Sequence, residues 1–244
     1  MEAANLAWSL ALGFLMVTGL RLLWGAAWTG RGPELAIGLA VLTSAGGGAL
    51  ETSSVRAVMA GGEAALAFPV QAVARMLTMA GSAALFVGVW RVFHPDRVWA
   101  RTLAVTGVTA SLAVGIAWVS VGLHSEVRGA DPGTLLFHAA RASSYVWGGI
   151  ASFRHWNRLR RRWRVGLVEH VIAQQFFLWG VASLATVALI ALIAVNHILL
   201  GASPLATQQG VTLLALLGLL AGTTIYSAFF PPLLYRRWMT ASTA

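Results

Sequence analysis

Two arginines fall where an apolar chain has little ordinary use for them. Arg75 and Arg141 each lie about seven residues, roughly 10 Å at 1.5 Å per helical residue, inside a separate apolar run. A guanidinium stays charged under physiological conditions, and its planar fork grips a carboxylate or phosphate through parallel hydrogen bonds. Each arginine belongs to a polar stripe. Gln71, Arg75, Thr78 and Ser82 are spaced 4, 3 and 4 apart, and His138, Arg141, Tyr145 and Gly148 are spaced 3, 4 and 3 apart. Those spacings keep each set on one helix face. Two guanidiniums at one depth repel unless an anion lies between them, so the pattern predicts a pocket for a small anionic or amphipathic ligand. Its expected residues are Arg75, Arg141, His138, Tyr145, Glu51 and Gln71. The competing expectation is that both arginines snorkel to headgroups and pair with Glu51, Glu63 or Asp131.

Other chemistry is thinly represented. The chain has no Cys, so disulfides, thiolate metal sites and cysteine nucleophiles are excluded. All 17 basic residues are Arg, and without Lys no Schiff base to retinal or pyridoxal can form. Nucleophile elbows, phosphate loops and dinucleotide fingerprints are absent. Haem b would need His138 paired with His124 or His197, and zinc would need His124, Glu126, Asp131 and His138 to converge across a loop. No local motif supports either, and no cofactor is assigned. His124, His155 and His197 are expected to be interfacial, and the chain non-enzymatic.

Residues 153–163 read FRHWNRLRRRW. On a helix, Trp156, Leu159 and Trp163 share a face, while Arg158, Arg160, Arg161, Arg162 and the following Arg164 crowd the remainder. That pattern fits an amphipathic segment on anionic inner-leaflet lipid, at about 1 kcal/mol per arginine. It equally fits a topology determinant, or a docking surface for an acidic cytoplasmic partner.

The elements that must position these residues follow from composition. Of 244 residues, 58% are hydrophobic and 10% charged, with mean hydropathy +0.74; soluble domains carry about 25% charge. The class is an all-α, polytopic membrane protein. Seven apolar runs approach the ~20 residues that a crossing needs: 6–28, 35–50, 68–93, 102–123, 134–153, 168–200 and 205–235. Together they make one domain, a seven-transmembrane-helix bundle. Glu2, with no basic residue before the first run, argues for a real span rather than a leader.

The net charge of +9 is not a nucleic-acid signal, because the arginines cluster between spans. One set of segments holds Arg21, Arg31, Arg91, Arg97, Arg101, Arg154, Arg158, Arg160, Arg161, Arg162, Arg164, Arg236 and Arg237; the opposite set holds Arg56 and Arg128. The positive-inside rule then places the N-terminus outside and the C-terminus in the cytoplasm. Trp8, Trp24, Trp28, Trp90, Trp99, Trp156, Trp163 and Trp238 fall near predicted span ends, where indole prefers the headgroup level.

Small residues four apart mark close helix crossings: Gly107, Ser111 and Gly115; Gly218 and Gly222; Ala84 and Gly88. Gly46, Gly47 and Gly48 are read as a crossing rather than an unwound segment. Pro69 is expected in a first helical turn, and Pro231 and Pro232 at the end of the last span.

The expected function is a receptor-like or sensory protein of the cell (inner) membrane. The alternatives are a small-solute transporter, a structural subunit of a membrane complex, and a haem- or metal-binding intramembrane protein.

Overall fold

A computed structural model of the chain describes residues 2–30, 32–62, 64–120, 132–201 and 203–230, without the side chains of 64–66. The described residues form seven long helices: α1 (Glu2–Thr29), α2 (Gly32–Met59), α3 (Ala64–Phe93), α4 (Val98–Ser120), α5 (Pro132–Trp163), α6 (His170–Val195) and α7 (Gln208–Phe229). A π-helical turn, Asn196–Leu200, prolongs α6, and a 3-10 turn, Pro204–Ala206, precedes α7. The chain is a helical protein of membrane type: six of these helices are long and apolar enough to cross a bilayer. The exception is α5, whose arginine-rich second half and polar first half dilute its apolar character.

Packing is inverted relative to a soluble domain. Large apolar residues such as Leu6, Leu20, Val105, Ile116, Leu136, Leu184 and Leu216 are exposed, while much of the buried set is Ala, Gly, Ser and Thr. In lipid, burying Leu gains little, so close backbone approach drives association instead. The crossing of α2 and α3 depends on it. A Cβ at Gly47 would strike the Thr78 hydroxyl and the Ala74 carbonyl, and one at Gly81 would strike the hydroxyls of Ser44 and Thr43. The helix runs unbroken through 46–48. Gly107 and Gly115 seat α4 on Phe86, Met76 and Met79 of α3, and Gly218 and Gly222 seat α7 on Trp8 and Phe14 of α1. Hydroxyls inside the helices mostly turn back on their own backbone, as Thr18 does to the Phe14 carbonyl at 2.8 Å and Thr186 to the Ala182 carbonyl at 2.9 Å.

The pairings close a ring: α1 packs on α2, α2 on α3, α3 on α5, α5 on α6, α6 on α7, and α7 back on α1. The fourth helix stands outside, against α3 and α5. On one side of the ring α3 and α5 touch through the Ser82–Ser144 hydroxyl pair at 2.9 Å. Further along, Met79, Phe137 and Trp118 of α4 fill the space between them.

Several boundaries differ from the sequence expectation. The second helix is not the short 35–50 run but a 28-residue helix, because Glu51–Met59 continues it despite its polarity. The fifth does not stop at 153; it carries the arginine-rich segment as its own last turns, to Trp163. The last begins at Gln208 rather than 205, where the Thr207 hydroxyl accepts the Gly210 N–H at 3.0 Å. Pro69 is not a first-turn proline, since α3 starts at Ala64 and the ring interrupts the second turn. Trp8 is not interfacial: it is buried on α7, and its indole N–H donates to Thr52 at 3.0 Å. Arg31, Glu63, His124, Glu126, Arg128, Asp131, Pro231, Pro232, Arg236, Arg237 and Trp238, with 121–123 and 231–235 of the expected spans, lie outside the described residues.

Candidate functional site

The helix ring encloses a cavity of about 1120 Å³, at or above the usual ~300–1,000 Å³ of small-molecule sites. Glu51, Gln71, Arg75, Arg141 and Tyr145 all line it. The two polar stripes therefore meet across one space, and the Arg75–Glu51 pairing of the competing expectation is present there too. Each stripe divides along its length. Gln71 and Arg75 face the cavity, whereas Thr78 and Ser82 are spent on packing, Thr78 bonding the Ala74 carbonyl at 2.8 Å. Likewise Arg141 and Tyr145 face the cavity while Gly148 admits Val89 of α3.

Both arginines lie well inside their helices. Counted from the start of each helix, Arg75 is about 16 Å and Arg141 about 14 Å in. Arg75 is held on two sides. Its guanidinium carbon lies 3.4 Å from the centre of the Trp118 ring, with Phe137 at 5.4 Å, and its Nη2 reaches Glu51 Oε1 at 4.0 Å. The first is a close cation–π contact; the second is an ion pair at the long limit of direct contact. Arg141 is 7% exposed. Among the described residues no carboxylate, hydroxyl, carbonyl or aromatic face takes its guanidinium, and its Nε is buried without a partner.

Unsatisfied polar atoms concentrate here. Of the seven buried side-chain N and O atoms without a hydrogen bond among the described residues, four belong to Arg75, Arg141, His138 and Trp118. Native interiors leave few such groups, and a cluster of them calls for an explanation. Among the described residues one carboxylate, Glu51, stands against two guanidiniums near enough for their like charges to interact.

His138 occupies a different place from the one expected. It is buried but does not line the cavity; its ring lies 5.7 Å from that of His197, tilted by 37°. His197 does line the cavity, because the π-helical turn Asn196–Leu200 carries it onto the bundle's inner side. Gly201, at φ 57°, ends that turn with a conformation that favours glycine. Among the described residues no three His, Asp or Glu side chains gather as a metal site would need. Tyr145 donates to Ser44 at 3.1 Å, tying α5 to α2 below the arginines.

Trp118 and His197 are the site residues that the sequence reading missed. Trp118 sits on the one helix outside the ring, and nothing in its spacing points to a neighbour on α3. His197 follows an apparently uniform apolar run, and a π-turn leaves no pattern there.

The two ends of the cavity differ. One reaches the end of the bundle formed by Met59, Phe68, Gly201, Ser203, Pro204 and Leu205. Toward the other, an aromatic floor lies beneath Trp179: Phe93 is 5.1 Å from the Trp179 ring, Phe176 5.6 Å from Phe93, and Phe229 5.8 Å from Trp179. Beside it Arg21 donates to the Tyr226 hydroxyl at 2.5 Å and lies 4.1 Å from the Phe230 ring centre. Beyond the floor the arginines turn outward. Arg154, Arg158, Arg160, Arg161, Arg162 and Arg164 are exposed, Leu159 is buried, and Trp163 stacks on His170 at 4.1 Å. Comparison with protein-family models, with curated proteins and with solved structures yields no match for this chain.

Proposed function

We propose that this chain is a receptor-like, non-enzymatic membrane protein that binds a small anionic or amphipathic ligand in the ring cavity. On this reading all seven helices cross the cell membrane, with the N-terminus outside. The arginine-rich end then lies on anionic inner-leaflet lipid. The observation that carries the proposal is Arg141: 7% exposed, in the cavity wall, with no partner among the described residues. An uncompensated charge in a low-dielectric interior costs several kcal/mol. Guanidinium cannot escape that cost by losing its proton. Glu51 is already engaged by Arg75, so among the described residues no acid is left for Arg141, and we read an external anion as its counter-charge.

The aromatic floor favours a binding protein over a two-sided path, since Phe93, Trp179 and Phe229 occupy the route toward the arginine-rich end. A transporter would have to part them.

The test is anion binding to purified protein in phosphatidylcholine nanodiscs, with an alkyl carboxylate or alkyl phosphate as probe. Losing one charge-assisted contact predicts that Arg141→Ala weakens binding by about ten- to a hundredfold, with helical content and cooperative melting retained. Equal affinity in a folded Arg141→Ala protein overturns the proposal.

A further inference from the structure

The cavity wall changes character along its axis. At the arginine level it carries Glu51, Gln71 and His197; toward the floor it is formed by Ile37, Val41, Leu85, Trp179, Ala182 and Ile225. The polar atoms between the two levels are mostly spent within the protein: Tyr145 on Ser44, and Thr186 on the Ala182 carbonyl. The apolar chamber is long. Leu85 lies ten residues beyond Arg75 on α3, about 15 Å, and Ile37 lies fourteen from Glu51 on α2, about 21 Å. A small inorganic anion held by the arginines would leave that chamber unfilled. Water gains little there, because it needs several polar partners and the walls supply few.

We infer that the ligand is a lipid-like anion, with a carboxylate or phosphate head between Arg75 and Arg141 and a hydrocarbon tail lying in the chamber down to Trp179. This rests on the anion-site reading above and adds the tail. The head matches the planar forks, and the tail matches the wall. The floor sets a length limit, because Trp179 is fixed between Phe93 and Phe229. The same chemistry occurs in a free fatty acid and in a bilayer lipid with an exposed phosphate.

The test is a chain-length series of n-alkyl carboxylates titrated into the full chain in phosphatidylcholine nanodiscs. Acetate, inorganic phosphate, tetradecanol and dimyristoyl phosphatidic acid are run beside it. Affinity is expected to rise about fourfold per added methylene, the usual hydrophobic increment, and to stop rising once the tail reaches the floor. Ala182→Phe, which fills the chamber, moves that break to shorter chains without weakening the shortest ones; Ala221→Phe serves the same purpose if Ala182→Phe fails to fold. Myristate or dimyristoyl phosphatidic acid binding in an Arg141-dependent manner supports the inference, and the tighter of the two identifies a free or a bilayer source. Acetate or phosphate binding as tightly as myristate overturns the tail while leaving the anion site standing. Tetradecanol binding as tightly as myristate, unaffected by Arg141→Ala, overturns both.

Discussion

The same residue serves opposite purposes at two levels of this bundle. At the arginine-rich end, Arg154, Arg158 and Arg160–Arg162 are exposed, where counter-charge can come from solvent or headgroups. Inside the ring, Arg141 is buried and Arg75 partly buried, and among the described residues Glu51 is the carboxylate near them, 4.0 Å from Arg75. What separates the two groups is supply of counter-charge, not residue type. Where a guanidinium is exposed the protein commits little to it, as with Trp156 at 5.4 Å from Arg160. Where the wall must supply the counter-charge, Trp118 and Glu51 are committed to Arg75, and Arg141 is left without any partner among the described residues.

The strongest way to break that contrast is to remove the aromatic partner at each level. Trp118 is buried beneath Arg75 at 3.4 Å, whereas Trp156 meets Arg160 at 5.4 Å on a more open surface. Trp118→Ala is expected to lower unfolding stability by about 3–5 kcal/mol, the usual cost of deleting a buried indole. Trp156→Ala should cost less than half of that. Denaturation in mixed micelles measures both, and equal losses would erase the distinction.

Arg141 offers a sharper test because its expected sign is unusual. Arg141→Met removes an uncompensated buried charge and fills similar volume, so the ligand-free protein should gain about 1–4 kcal/mol while binding is lost. Arg21 is the internal control: its hydrogen bond to Tyr226 and its place over Phe230 predict that Arg21→Met loses stability. A destabilised Arg141→Met would mean that the protein already satisfies this charge.

How much of this could be read from residue order depends on the interaction concerned. The helical, membrane-type character was accessible because a bilayer demands long apolar runs, which six of the seven described helices have and α5 lacks. Helix ends were not, since Glu51–Met59 and Arg154–Trp163 continue their helices in polar sequence, where hydropathy falls but backbone hydrogen bonding does not. Arg75 and Arg141 stood out because charge is rare in such runs, and the spacing on each helix correctly paired Gln71 with Arg75 and Arg141 with Tyr145. The partners across helices were hidden. Trp118 over Arg75 and His197 beside His138 depend on α4 lying outside the ring and on a π-turn, neither of which follows from period or composition. Trp8 misled for a related reason: a tryptophan near a chain end resembles an interfacial anchor until Thr52 of another helix is seen to take its N–H.

At the exposed level, changes should be graded and additive. Replacing Arg158, Arg160 and Arg161 together by Gln is expected to cost about 1 kcal/mol per arginine in preference for anionic over neutral vesicles at low salt, with the difference fading as salt is raised. Flotation with phosphatidylglycerol and phosphatidylcholine vesicles reads it. An all-or-none loss would mean that these arginines form a built site, as in the cavity, rather than a solvated face.

The smallest expected effect concerns a histidine that the exposed arginines surround. His94, in the turn after α3, packs on Trp99 with ring centres 4.8 Å apart. Partial burial, and then the charges of Arg158, Arg97 and Arg154, push its pKa below the ordinary histidine value of 6.5. The unfolded chain therefore takes up a proton at His94 before the folded one does. Its contribution to stability is fully present above pH 6.5 and is lost as the pH falls through that value toward the lowered folded pKa. His94→Gln should flatten this acid-side slope of the melting temperature, and Arg158→Gln should flatten it partly, by letting the folded pKa rise. Proton NMR titration of the His94 ring in both backgrounds separates the causes. If Arg158→Gln leaves the titration where it was, burial alone sets the value, and the arginines at this end do not act on their neighbours even at short range.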